Sequence, residues 1–280
     1  AIILRGYRGG STKPVIVSDG ERLLCEPPVA ADEAYLLARH LPGVAVLTGA
    51  DRYLVGRVAI EQLGCGIIVL DDGFQHLRIH RDLDIVLVDA TNPLGYGRLL
   101  PSGLLREPPE ALERAGLLVI THADSARDLS AVTQAVRRYA KTAPIALAAH
   151  RPVGLVGPQW DECLPPEHLH RQRVLAFSGI ANPRGFETTL VQLGTLILAH
   201  RTFPDHYVYS ATDLQALSET AIKVGATLMV TTEKDMVKLA RLNRGKDAVP
   251  LYGLSISLEL LEGEDILDRM LSDLVKPNTA

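Results

Sequence analysis

Short apolar runs recur along the chain, each followed by a longer stretch whose apolar residues fall at helical spacing. That alternation confines the fold to strand–helix units around a mostly parallel sheet. Strands are expected at residues 1–4, 44–47, 66–70, 84–88, 117–121 and 144–149, with helices at 32–40, 52–63, 109–115 and 126–140. Residues 151–171 break the rhythm. Pro152, Pro158, Pro165 and Pro166 fall there among glycines, histidines and charges, the composition of a linker. A second series follows, with strands at 174–177, 195–199, 227–230 and 249–254, helices at 183–193 and 211–224, and a surface helix at 263–274. The expectation is an α/β chain of two αβα sandwich domains, residues 1–150 and 172–280, joined by a linker at 151–171.

Composition agrees. The chain is 47 % hydrophobic but only 5 % aromatic, so its apolar content is mostly Leu, Val, Ile and Ala, which suits strands buried on both faces. A formal net charge of -4 excludes the basic stripe of a nucleic-acid binder, and no nucleic-acid partner is expected. Cys25, Cys65 and Cys163 are scattered without metal-ligand spacing, as in a reduced cytosolic protein. No apolar run reaches the roughly 18 residues that a membrane span requires. The first residues read as a strand already under way, with Ala1 where Met is expected, so further sequence is expected upstream.

The apolar run at 66–70 leads directly into Asp71-Asp72-Gly73-Phe74-Gln75-His76. Nucleotide triphosphatases place a carboxylate in this way at the carboxyl edge of a sheet, and magnesium takes one or two carboxylates plus phosphate oxygens. Asp-Asp-Gly is equally a turn after a strand. Leu104-Leu105-Arg106-Glu107-Pro108 sits where the same edge should be: Glu107 suits a metal shell and Arg106 suits phosphate charge, although Arg-Glu before prolines also starts a helix. Thr121-His122-Ala123-Asp124 has the strand–x–x–Asp form that reads a nucleotide base. Asp32 opens a helix, where capping explains a carboxylate, yet phosphorylation of an alcohol also needs a carboxylate to accept the hydroxyl proton. His206, in Phe203-Pro204-Asp205-His206-Tyr207, reads either as part of a turn or as the partner of such a carboxylate.

Taken together, several segments resemble the tetraacyldisaccharide 4′-kinase family, which phosphorylates the lipid A disaccharide. They are Arg5-Gly6-Tyr7 with Gly9-Gly10, Asp32-Glu33, the Asp71–His76 hexapeptide, Gly103-Leu104-Leu105-Arg106-Glu107-Pro108, Phe177-Ser178-Gly179-Ile180-Ala181-Asn182-Pro183, Phe203–Tyr207, and Thr231-Thr232-Glu233-Lys234-Asp235. Their order and spacing match from residue 1 to about residue 240. The resemblance implies a first domain like that of P-loop nucleotide triphosphatases, with ATP and Mg2+ as cofactors and lipid A disaccharide 1-phosphate as substrate. It further implies that Asp32 is the base and His206 its partner. Asp71, Asp72 and Glu107 would hold the metal, with Asp71, Asp72, Gln75, His76, Arg106 and Tyr7 at the nucleotide and Arg52 near the substrate. The family works at the cytoplasmic face of the bacterial inner membrane, so peripheral attachment there is expected.

Two departures accompany the resemblance. The G-x-x-x-x-G-K-[ST] phosphate loop of the family does not occur in these 280 residues; Gly9-Gly10-Ser11-Thr12-Lys13 follows Arg-Gly-Tyr and lacks the Gly-Lys-Ser/Thr core. Ala31 and Ala34 flank Asp32-Glu33 where the family usually has Gly and Pro. An N-terminally shortened record of an ordinary kinase is the expectation. The alternatives are a saccharolipid-binding relative without ATP turnover and a P-loop GTPase-like switch protein.

Overall fold

The computed structural model describes residues 1–6, 13–160, 162–242 and 249–276. In chain order, β1 (Ile2–Leu4) and β2 (Val15–Asp19) precede α1 (Asp32–His40), β3 (Ala45–Thr48), α2 (Arg52–Glu61), β4 (Val69–Leu70) and β5 (Ile85–Asp89). Next come β6 (Leu117–Thr121), α3 (Leu129–Arg137), the long β7 (Ile145–Val156) and the short β8 (Cys163–Leu164). The chain then runs through β9 (Arg173–Ser178), α4 (Pro183–Gln192), β10 (Leu196–Thr202), α5 (Ala211–Val224), β11 (Leu228–Thr232), α6 (Glu233–Leu239), β12 (Leu251–Glu262) and α7 (Glu264–Val275).

The fold is α/β with mostly parallel pairing, as the alternation requires. Two compact units form. One joins Ala1–Asp71 to Pro152–Ile256, and the other joins Asp72–Arg151 to the residues from Ser257 onward, so β7 and β12 each contribute to both. This grouping differs from a linear division at 151–171. Prolines punctuate that segment, but β7 continues through Pro152, and Leu155 and Leu169 are fully buried in a core with Val174 and Val230.

The first unit holds two sheets. One has the order β2-β3-β1-β4, with β1 parallel to β3 and β4, and β2 antiparallel to β3. Because side chains alternate across a strand, Ile3 and Leu47 bury against Val55 and Ala59 of α2, whereas Leu4 and Val46 bury against Ala34 of α1. The other runs β10-β9-β11-β12, all parallel. Leu175, Phe177 and Met229 face Leu214, Leu217 and Ala221 of α5, while Val174, Ala176 and Val230 face Phe186 and Leu190 of α4. In the second unit β5, β6 and β7 pair in parallel. Val88 and Leu118 pack on Val136 of α3, and Leu117 and Val119 pack on Ile266, Leu267 and Met270 of α7. The expected surface helix at 263–274 therefore covers one face of a sheet.

Sequence reading missed β2, a short run hidden behind Pro14, and α6, whose residues carry mixed charges. In place of the α-helix expected at 109–115, Pro109–Arg114 form a 3-10 turn with Pro109 at its start. The longest helix, α5, is fixed at both ends. Ser210 Oγ accepts from the Asp213 amide (3.1 Å), the Asp213 carboxylate accepts from the Ser210 amide (2.8 Å), and Gly225 closes the helix at φ 74°. Replacing the cap, Ser210→Ala, should cost about 1 kcal/mol of unfolding free energy, and Ser210→Gly only a few tenths. Urea titration of both variants checks that order; equal losses would mean that the box contributes nothing.

Candidate active site

Topology decides which side chains can meet. In parallel α/β sheets ligands gather at the carboxyl ends of the strands. Helix α1 runs back toward the start of β3, so its N-terminus, and with it Asp32, lies at the carboxyl edge of β1, β3 and β4. Asp71 follows β4 at that same edge. Helix α6 springs directly from the carboxyl end of β11 and lies against α1.

The contact between α1 and α6 is a ladder of ion pairs. Lys234 Nζ meets Glu33 Oε1 at 2.7 Å, and His40 Nε2 meets Glu233 Oε1 at 2.8 Å, with Ser255 Oγ donating to the other Glu233 oxygen. Lys238 Nζ, only 9 % exposed, lies 3.2 Å from Asp235 Oδ1 and 3.9 Å from Asp32 Oδ2. Asp235 is fully buried. It accepts from Thr232 Oγ1 (2.8 Å) and from the Gly179 amide (2.9 Å), and the Gly179 carbonyl in turn accepts the His206 amide (3.2 Å). His206 has φ 58°, a left-handed conformation that costs a non-glycine residue energy and that this hydrogen bond helps to hold. Phe203, Tyr207 and Tyr209 stack beneath the loop. Burial and then the Asp235 charge push the Tyr209 phenol far up, so it stays neutral.

Asp32 is the first residue of α1, not its cap: Ala31 holds that position without a side-chain hydrogen bond. Burial pushes its carboxyl above the ordinary value, opposed by the charges of Lys238, His206 and Lys234 and assisted by Glu33. Desolvation wins that sum, and His206 is close enough to act on it. Asp32 and His206 thus come together with Lys238, which sequence reading missed. Its signal was the i, i+3 spacing to Asp235 inside the otherwise apolar run Met236, Val237 and Leu239.

The Asp71 amide donates to the Ile3 carbonyl, and the Asp71 carbonyl accepts from buried Arg52 at 3.3 Å. Arg52 therefore holds the strand end. Asp72, at φ 51°, takes Arg106 Nη1 at 2.8 Å. Gln75 and His76 occupy a tight turn, the His76 amide donating to the Gly73 carbonyl. Arg81, another residue the sequence reading missed, fixes that turn through the His76 and Ile79 carbonyls while clamping Asp84 with two hydrogen bonds. Glu107 pairs with Arg114 at 2.8 Å through one oxygen, and its Oε1 is buried without a hydrogen-bond partner. Arg114 in turn covers the Phe74 ring. Asp124, the candidate base reader, is engaged by Arg151, which also holds Glu259. Tyr7 lies outside the described residues.

A partly desolvated carboxylate, and strand-end carboxylates beside guanidinium groups, are groups of the kind that phosphotransferases employ. Known proteins make the class specific. The family model described as tetraacyldisaccharide-1-P 4'-kinase matches residues 1–276. The chain is 43 % identical over 274 residues to a tetraacyldisaccharide 4'-kinase of Anaeromyxobacter dehalogenans strain 2CP-C, covering 97 % of this chain and 72 % of that protein. Its counterpart in Syntrophus aciditrophicus is 41 % identical over 269 residues, with 93 % and 71 % covered. The crystal structure of LpxK from Aquifex aeolicus in complex with ATP superposes with a TM-score of 0.76 at 32 % identity, covering 98 % of this chain and 78 % of that one. The chain belongs to the tetraacyldisaccharide-1-P 4'-kinase family.

A carboxyl raised in the folded state binds its proton more tightly there than when unfolded. Its favourable contribution is present below the unfolded value and lost as pH rises through the folded one. Ionised Asp32 is therefore a net cost at neutral pH. The Asp32→Asn variant should melt at a higher temperature than the parent at about pH 7, and the gain should vanish near about pH 3. Thermal melts across that range check it; a lower melting temperature at neutral pH would mean that the ion pair with Lys238 outweighs desolvation.

Proposed function

We propose that the chain transfers the γ-phosphoryl group of ATP to the 4′-hydroxyl of a tetraacylated glucosamine disaccharide 1-phosphate, with Asp32 taking the hydroxyl proton. The observation that carries this reading is the placement of Asp32: partly desolvated at a helix N-terminus on a ligand-binding edge, beside Lys238 and His206, in a member of this kinase family. A raised carboxyl is a better proton acceptor than an ordinary one. His206 orients or assists it.

Asp71, Asp72 and Glu107 are the proposed magnesium ligands. Among the described residues no group of three or more His, Cys, Asp or Glu side chains gathers to hold a metal unaided. Magnesium at phosphate sites needs only one or two carboxylates plus phosphate oxygens, and the unpartnered Glu107 Oε1 offers a hard oxygen of that kind. When bound, the ion supplies charge neutralisation at the transferring phosphoryl group. Arg106 adds positive charge beside Asp72, and Gln75 and His76 contribute from the Arg81-braced turn. Arg52 fixes the Asp71 end of β4, through which it would reach nucleotide or substrate. Tyr7 completes the proposed nucleotide set. No helix among the described residues is long and apolar enough to cross a membrane. The acyl chains of such a substrate hold it in a bilayer, so peripheral action at the cytoplasmic face of the inner membrane is part of the proposal.

Phosphoryl transfer from labelled ATP to the disaccharide 1-phosphate tests it in the full-length enzyme. Asp32→Ala should lower kcat by about 10²- to 10⁴-fold with ATP affinity unchanged, and His206→Ala should slow transfer less. Undiminished turnover in Asp32→Ala, or a parallel loss of ATP affinity, would remove Asp32 from the role of base.

A further inference from the structure

We propose that Lys238 is a positioning residue for the transfer: its ammonium, anchored on buried Asp235, fixes where the Asp32 carboxylate points and in which charge state it is held. The proposal rests on Asp32 being the base.

Three observations carry it. Lys238 is almost wholly withdrawn from solvent, which its long stem and strongly hydrated head ordinarily avoid. Its two carboxylate neighbours belong to different elements, Asp235 to its own helix and Asp32 to α1, so the ammonium is a bridge and not a local i, i+3 pair. Asp235 is itself over-determined, by Thr232 Oγ1 and the Gly179 amide, and cannot follow the lysine if the lysine moves. Gly179 leaves no slack either, since a Cβ there would come within 3.0 Å of Tyr209 Oη and 3.2 Å of Asp235 Oδ1. The lysine is thus held from below, its Nζ 5.9 Å from the centre of the neutral Tyr209 ring, and its charge stands at ion-pair distance, 3.9 Å, from Asp32.

The other charges that face Asp32 do not replace it. Lys234 is spent on Glu33 at 2.7 Å, and Glu33 acts on Asp32 in the opposite sense. His206 is the reaction partner itself. Lys238 is also the largest of the influences that oppose desolvation at Asp32.

The test uses full-length enzyme with Lys238→Met, and with Lys238→Gln as a second variant that keeps a hydrogen bond to Asp235 if the first fails to fold. Two quantities are read: the pH dependence of kcat, and the titration of Asp32 followed by carbon-13 NMR of aspartate carboxyls. With the ammonium gone, the acidic limb of kcat and the Asp32 midpoint should both move up by about one pH unit. Loss of stability or of active fraction with both midpoints unmoved would make Lys238 structural only and overturn the proposal. Asp32→Ala separates the two readings. If that variant still turns over, the base assignment fails, whereas an unmoved Asp32 titration in the Lys238 variants sinks the positioning role whatever Asp32 does.

Discussion

The buried pair Asp235–Lys238 is the interaction on which the geometry of the site depends. Energies rank the contacts between α1 and α6. Lys234–Glu33 is partly solvated, and such pairs contribute about 0–1 kcal/mol. Asp235 is fully buried and Lys238 nearly so; removing one partner of such a pair typically costs about 3–5 kcal/mol, because the other charge is stranded. The pair also gathers chain ends that are distant in sequence. Gly179, at the end of β9, hangs on Asp235; the His206 amide hangs on Gly179; Asp32, from the other sheet of the same unit, approaches Lys238. One buried charge pair thereby sets the relative placement of a carboxylate and a histidine separated by most of the chain.

A different device serves the loop after β4. None of its residues belongs to the buried hydrophobic core, and arginines shape it instead. Arg81 reads two carbonyls of the turn while its guanidinium is fixed to Asp84 in a two-point clamp, a geometry that lysine cannot reproduce. Arg106 holds Asp72, and Arg114 holds Glu107 while covering Phe74. Guanidinium groups here fix the orientations of the carboxylates.

Most of the architecture was legible because burial writes periodicity into sequence. Strands buried along most of their length, such as β6 and β9, are mostly apolar runs, and the helices that cover them repeat at helical spacing. Where that signal is weak, the reading failed for identifiable reasons. Helix α6 opens Glu-Lys-Asp, which looks like a solvated turn, yet Glu233 and Asp235 are buried because each finds hydrogen-bond partners in the fold. The segment at 151–171 reads as a linker because proline punctuates it, but Leu155 and Leu169 are core residues. Of the site, Asp32 and His206 were visible through motif resemblance alone. Lys238 was not, since a lysine in an amphipathic helix is ordinarily a solvated residue, and only the buried Asp235 one turn earlier makes it otherwise.

Opposing influences meet at Asp32, the proposed base. A helix N-terminus favours a carboxylate by about 0.3–1 kcal/mol, and Lys238 and His206 favour it further. Burial pushes the other way and wins, so the carboxyl holds a proton more tightly than an ordinary aspartate does. The balance needs a cation that is both close and fixed. A solvated lysine would be screened and mobile, which is the physical reason for sinking Lys238 onto Asp235.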